Sequence, residues 1–199
     1  MNDNKFKVIF IIGPPGVGKN TQCEKLVKKY NFIYFGAGDL LREEAKKETE
    51  EGKLISSLIK EGKIVPVKIT CTLIKKAMYE KGKDKIFLID IYLGNKVNID
   101  GWKEVFCDNY ILVTSIIFHC DENILVKRLI ERGKISGRID DNIETIKKRF
   151  KTHKDESEPI MKELKNMGSS IEINATGNPQ EVFNDIVKEL DEKVKKYVK

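Results

Sequence analysis

Residues 7–21 read KVIFIIGPPGVGKNT, and this stretch decides the fold. Lys7–Ile12 is a short apolar run that reads as a first β-strand. Gly13-Pro14-Pro15-Gly16-Val17-Gly18-Lys19 follows it as G-x-x-x-x-G-K and opens a helix, the context that gives this pattern its meaning. Glycines let successive backbone N–H groups turn inward around a phosphate, and the helix N-terminus adds partial positive charge. Lys19 then sets a full positive charge against the β/γ-phosphates, so ATP is the expected ligand. Asn20 stands where Ser or Thr usually offers a hydroxyl to Mg²⁺, and Thr21 comes one residue later.

Outward from this loop, short apolar runs alternate with longer amphipathic stretches, the pattern of βαβ units around a parallel sheet. Strands are expected at Lys7–Ile12, Phe32–Phe35, Ile86–Ile89, Leu112–His119 and Ile171–Ile173. At the C-terminal end, Val182, Phe183, Ile186, Val187, Leu190, Val194 and Tyr197 recur at helical spacing and form one core-facing stripe. Asn178 and Pro179 sit where an N-cap and a first-turn proline belong. Repeats and low-complexity linkers are lacking, so 1–199 reads as one domain. Two charged stretches differ from plain crossovers. Asp39–Gly62 is helical in pattern, with Gly52 and Gly62 interrupting it, and Arg132–Asp141 is short and glycine-marked. Beside a phosphate loop, both read as mobile flaps over a site.

Composition narrows the class further. The 199 residues are 40% hydrophobic, enough for a real core, and 34% charged with both signs mixed, unlike a disordered chain. A formal net charge of +6 favours anionic partners. Lysines such as Lys46, Lys47, Lys147, Lys148, Lys195 and Lys196 are interleaved with acids and lack an aromatic stacking platform, so nucleic acid is not the expected partner. Cys23, Cys71, Cys107 and Cys120 form no C-x-x-C pair and read as reduced thiols. The N-terminal apolar run is too short to span a membrane and has no small-residue cleavage site, so a cytoplasmic protein is expected.

Several ordered motifs now accumulate: GPPGVGKNTQC (13–23), AGDLLREE (37–44), EGKIVPVKIT (61–70), FLID (87–90), NKVNIDGW (95–102) and ERGKISGRIDDNIETIKKRF (131–150). Together they resemble the adenylate kinase-like nucleoside monophosphate kinases, with most likeness to the eukaryotic UMP/CMP kinase branch. The resemblance runs from first strand to last helix. It implies an α/β, P-loop three-layer fold with a five-stranded parallel sheet, a helical acceptor-binding insert near 36–65 and a short lid near 132–142 that lacks a zinc-bearing insertion. It further implies a monomer using ATP and Mg²⁺, with Gly16, Val17, Gly18, Lys19, Asn20 and Thr21 holding the donor phosphates and Gly177 at the donor nucleotide. Arg132 would lie against the ATP end. Arg42 would grip the acceptor phosphate, Lys63, Ile64 and Val65 would line the acceptor pocket, and Arg138 and Arg149 would clamp the moving phosphoryl group. Asp90 would order the Mg²⁺ shell through water. His119 and His153 read as structural, since neither falls in a site motif.

Two positions speak to the acceptor base. Ala37 and Asn98 stand where adenylate kinases carry Thr and Gln, and the shorter amide favours a pyrimidine, CMP or UMP. One segment departs from the family. Where the resemblance would put D-G-F-P-R, the chain has Asp90-Ile91-Tyr92-Leu93-Gly94, so Gly94 replaces an arginine expected at the acceptor phosphate. Lys96, two residues on, could reach into the same pocket, though an ammonium lacks the guanidinium fork. An enzyme with impaired turnover or acceptor affinity is the expectation. The alternatives are a catalytically inactive nucleotide-binding relative acting as sensor or scaffold, and an adenylate kinase.

Overall fold

A computed structural model describes residues 4–91, 96–136, 142–157, 165 and 169–197. Five parallel strands form one sheet in the order β2-β3-β1-β4-β5. They are β1 (Phe6–Ile12), β2 (Ile33–Gly36), β3 (Ile86–Asp90), β4 (Tyr110–His119) and β5 (Ser170–Asn174), each overlapping the run expected from sequence. Helices α1 (Lys19–Tyr30), α4 (Val67–Lys81), α5 (Lys96–Phe106), α6 (Glu122–Ser136), α7 (Ile143–Thr152) and α8 (Pro179–Val194) surround the sheet. Two more, α2 (Ala37–Glu44) and α3 (Glu50–Glu61), lie in the chain between β2 and α4. A π-helical turn, His153–Ser157, continues α7.

β1 shows why the sheet is buried on both sides. Phe6, Val8, Phe10 and Ile12 pack with Cys71, Ile74, Met78, Trp102 and Phe106 of α4 and α5. Ile9 and Ile11 turn the other way, toward Leu26 of α1, Leu125 and Leu129 of α6, and Ile186 and Leu190 of α8. Strand side chains alternate faces, so an unbroken apolar run serves two cores at once. In α8 the expected stripe is buried at Val182, Ile186, Leu190 and Val194, with Phe183 and Tyr197 packed at its margin. Asn178 caps this helix: its side chain accepts from Gln180 N at 2.9 Å and Glu181 N at 3.0 Å, and Glu181 reaches back to Asn178 N.

One expectation needs correction. Gly52 does not interrupt the charged stretch but lies buried inside the first turn of α3. The break falls at 45–49, where Thr49 caps α3 by accepting from Gly52 N at 3.0 Å. A Cβ at Gly52 would come within 2.4 Å of the Lys47 carbonyl, so the glycine serves a close backbone approach. Gly62 does end α3, in a left-handed conformation with φ 69°. The lysine-rich helix faces are paired as solvated surface, with Lys46–Glu43 and Lys47–Glu44 at 2.6 Å and Lys148–Glu144 at 2.8 Å. All four cysteines are free thiols.

Candidate active site

Ligands in open parallel sheets bind beyond the carboxyl ends of the strands, where the crossovers diverge. Here β1 is that central strand, with β3 on one side and β4 on the other. The Gly13–Gly18 loop leaves its end, and Ile11 pairs in register with Asp90 at the end of β3. Gly16 at φ 81° and Gly18 at φ 95° occupy left-handed backbone that other residues resist. Gly18 enters α1 without a side-chain cap, and α1 carries no acid in its first turn. By contrast α3, α7 and α8 are closed by Thr49, Asn142 and Asn178. The first N–H groups of α1 are therefore left for a ligand, and an anion suits them.

Lys19 donates to the carbonyls of Gly13 at 2.9 Å and Pro14 at 3.3 Å, and its Nζ is 3.9 Å from Asp90 Oδ1. Burial pushes the Asp90 carboxyl above the usual Asp range, while the Lys19 ammonium pulls it back and Asp39 raises it again. The Tyr34 hydroxyl donates to Asp90 Oδ2 across 3.5 Å, and burial, with Asp90 beside it, drives its pKa far upward. A cavity of about 670 Å³ opens in front of this cluster, a volume suited to small ligands.

The cavity brings together residues far apart in sequence. Gly16, Val17, Gly18, Lys19, Asn20 and Thr21 line it, as do Arg132 of α6 and Gly177 before α8. Ala37, Arg42, Lys63, Ile64, Val65 and Asn98 line it too, together with Asp90 and Arg149. Ala37, Val65 and Asn98 are buried, at 6%, 6% and 5% exposure, whereas the Lys63 side chain is turned outward onto Glu61 at 2.6 Å. Arg42 Nη2 pairs with Asp39 at 2.6 Å. Gly94 and Arg138 lie outside the described residues. Lys96 pairs with Asp100 at 3.4 Å on the exposed face of α5 and is not among the residues lining the cavity, so the structure gives no support to its standing in for the missing arginine.

Some lining residues were not foreseen. Arg128 of α6 donates to the carbonyls of Ala175 at 3.0 Å, Thr176 at 3.3 Å and Gly177 at 3.4 Å, fastening the turn before α8 at the cavity's edge. Its only sequence signal was its place one helical turn before Arg132. His153 also lines the cavity, with Nε2 buried and lacking a hydrogen-bond partner among the described residues. Burial, reinforced by the charge of Lys19, depresses its pKa to about 4, so it is neutral at physiological pH. His119 is half-exposed at the end of β4 and pairs with Glu172 at 3.2 Å, away from this cavity.

Among the described residues no three His, Cys, Asp or Glu side chains gather as a metal cage. The Asp90 carboxylate at the cavity wall offers hard oxygen donors, the chemistry that Mg²⁺ takes. No helix is long and apolar enough to cross a membrane among the described residues.

Comparison with known proteins points the same way. The adenylate kinase family model matches residues 11–169. The chain is 40% identical to the UMP-CMP kinase of Mus musculus over 189 residues, covering 92% of this chain and 96% of that protein. It is 39% identical to the UMP-CMP kinase of Homo sapiens with the same coverage. It is also 43% identical to the uridylate kinase of Schizosaccharomyces pombe, over 93% of this chain and 97% of the relative.

Proposed function

The chain belongs to the adenylate kinase family, and within it we propose a nucleoside monophosphate kinase that moves the γ-phosphoryl group of ATP to UMP or CMP. One observation carries this reading: a single cavity joins the uncapped N-terminus of α1 and Lys19 to three further cations, Arg42, Arg132 and Arg149. A hydrolase needs one phosphate-binding pole; a transferase between two nucleotides needs two, facing each other.

Transfer proceeds when a phosphate oxygen of the acceptor bonds to the γ-phosphorus and the bond to the β,γ-bridging oxygen breaks, leaving ADP. The acceptor phosphate has its second pKa at about 6, so it is largely dianionic at pH 7 and no general base is required. The residues' work is positioning and charge neutralisation. Gly16 to Thr21 hold the donor phosphates through backbone N–H groups, and Lys19 follows the moving charge. Arg42 holds the acceptor phosphate, Arg132, Arg138 and Arg149 surround the transferring group, and Gly177 lies at the donor nucleotide. Ala37, Lys63, Ile64, Val65 and Asn98 form the acceptor side, with the Asn98 amide reading the pyrimidine. Asp90 would hold the water shell of Mg²⁺, which supplies charge neutralisation across the phosphates. Residues near 36–65 form the acceptor insert within one domain, 1–199; of the lid expected near 132–142, the first residues belong to α6 and 137–141 lie outside the described residues. The enzyme works as a cytoplasmic monomer on dissolved nucleotides.

Gly94 in place of an arginine weakens acceptor binding or turnover in this reading. Restoring it by Gly94→Arg should raise kcat/KM for CMP or UMP, and an unchanged value refutes this account of the loop. The deciding experiment couples ADP release to a visible reporter, with ATP, Mg²⁺ and CMP, UMP, dCMP, AMP or GMP in turn. Turnover dominated by CMP or UMP is expected. AMP as best acceptor makes the protein an adenylate kinase, and nucleotide binding without turnover makes it an inactive relative.

A further inference from the structure

Asp39 lies in the first turn of α2, and its two carboxylate oxygens serve different helices. Oδ1 accepts from Arg42 Nη2 at 2.6 Å, within α2. Oδ2 accepts from the side-chain amide of Asn20, in the first turn of α1, at 3.4 Å. One carboxylate thereby ties the phosphate-loop helix to the arginine of the acceptor helix. The backbone leaves room for it. A Cβ on Gly36 would stand 2.8 Å from Asp39 Oδ2 and 2.7 Å from the Tyr34 hydroxyl, so a larger residue there would have to displace those side chains. Tyr34 leads on to Asp90, and Asp90 to Lys19.

The residue type at position 20 matters. A cation there would compete with Arg42 for Asp39 and would itself be drawn to phosphate. An apolar side chain would leave Oδ2 without this donor at the cavity wall. A carboxamide supplies a neutral donor, holding the carboxylate while leaving its charge to Arg42.

Resting on the function proposed above, we propose that Asn20 is a positioning residue of the acceptor site. By holding Asp39 Oδ2 it sets the carboxylate that orients Arg42, so the acceptor phosphate is gripped in register with the phosphate loop. In-line transfer depends on that register, because small misplacements of reacting groups are costly.

The test titrates UMP, CMP and, separately, ATP into the full chain by calorimetry, with steady-state kinetics alongside. It compares the native protein with Asn20→Ala, Asn20→Ser, Asp39→Ala and the Asn20→Ala/Asp39→Ala double variant. Asn20→Ala should weaken the acceptor about five- to tenfold, the scale of one hydrogen bond, and raise acceptor KM more than it lowers kcat. Asn20→Ser, which keeps a neutral donor, should recover part of the loss. In the Asp39→Ala background, Asn20→Ala should add little, because the two act through one contact. Three results overturn the inference: an acceptor affinity equal to native in Asn20→Ala, a loss confined to ATP or to Mg²⁺ dependence, or fully additive single effects. A native chain that binds ATP but neither pyrimidine nucleotide removes the proposed function and this inference together, whereas native acceptor binding isolates the fate of Asn20.

Discussion

Lys19 and His153 face one cavity with opposite electrostatic prospects. The Lys19 ammonium is held by neutral carbonyls of its own loop, and Asp90 stands 3.9 Å away, so little folding energy depends on it. Lys19→Met should therefore cut kcat by about 10²–10³, the usual scale for one lost preorganised donor, with the thermal midpoint nearly unchanged. Coupled kinetics and circular dichroism read the two quantities. His153 behaves in the opposite way. Its folded pKa of about 4 lies below the ordinary value of 6.5, so between those limits the unfolded chain binds the extra proton. Stability then rises with pH across that window and is lost as pH falls from 6.5 toward 4. His153→Gln should flatten this slope, by a few kcal/mol at most, in urea titrations at pH 4.5 and 7. An unchanged slope would assign the acid sensitivity to the carboxylates.

At the scale of the element, α3, α7 and α8 begin on side-chain caps, whereas α1, which opens at the phosphate loop, does not, and neither do α2 and α4. The cap of α8 was legible as Asn178 followed by Pro179, because both are local in sequence, and the structure adds the return bond from Glu181. Asn178→Ala should cost about 1 kcal/mol of stability, measured by chemical denaturation, since it leaves the N–H groups of Gln180 and Glu181 without their acceptor. The placement of Gly52 was not legible. A glycine in a charged helical pattern reads as a breaker, and only the approach of the Lys47 carbonyl shows that it belongs inside α3. Gly52→Ala should accordingly destabilise the protein by roughly 1–3 kcal/mol despite alanine's better helix propensity, a sign opposite to that of an exposed helical glycine.

The whole molecule is organised by one central strand with a core on each face. Phe10, fully buried, meets the Trp102 ring edge-on at 4.9 Å, and Trp102 is the chain's single tryptophan. Phe10→Ala should cost about 3–5 kcal/mol. Because both cores share β1, Trp102 fluorescence and far-ultraviolet dichroism should lose structure in one coincident transition, and separate transitions would show that the two faces unfold independently. Periodicity, capping and the phosphate-loop spacing are short-range properties, so the sequence alone located the five strands, the cap of the last helix and the glycine loop at the head of α1. Which cations share a cavity is a long-range matter. The fold turns Lys63 out to Glu61 and Lys96 to Asp100, brings Arg128 onto the carbonyls before α8, and sets Asn20 against Asp39. Lys63 and Lys96 pair with carboxylates two and four residues away, but the Arg128 and Asn20 contacts span 47 and 19 residues, a separation that carries no local signal, and only the packing of helices around the strand ends decided them.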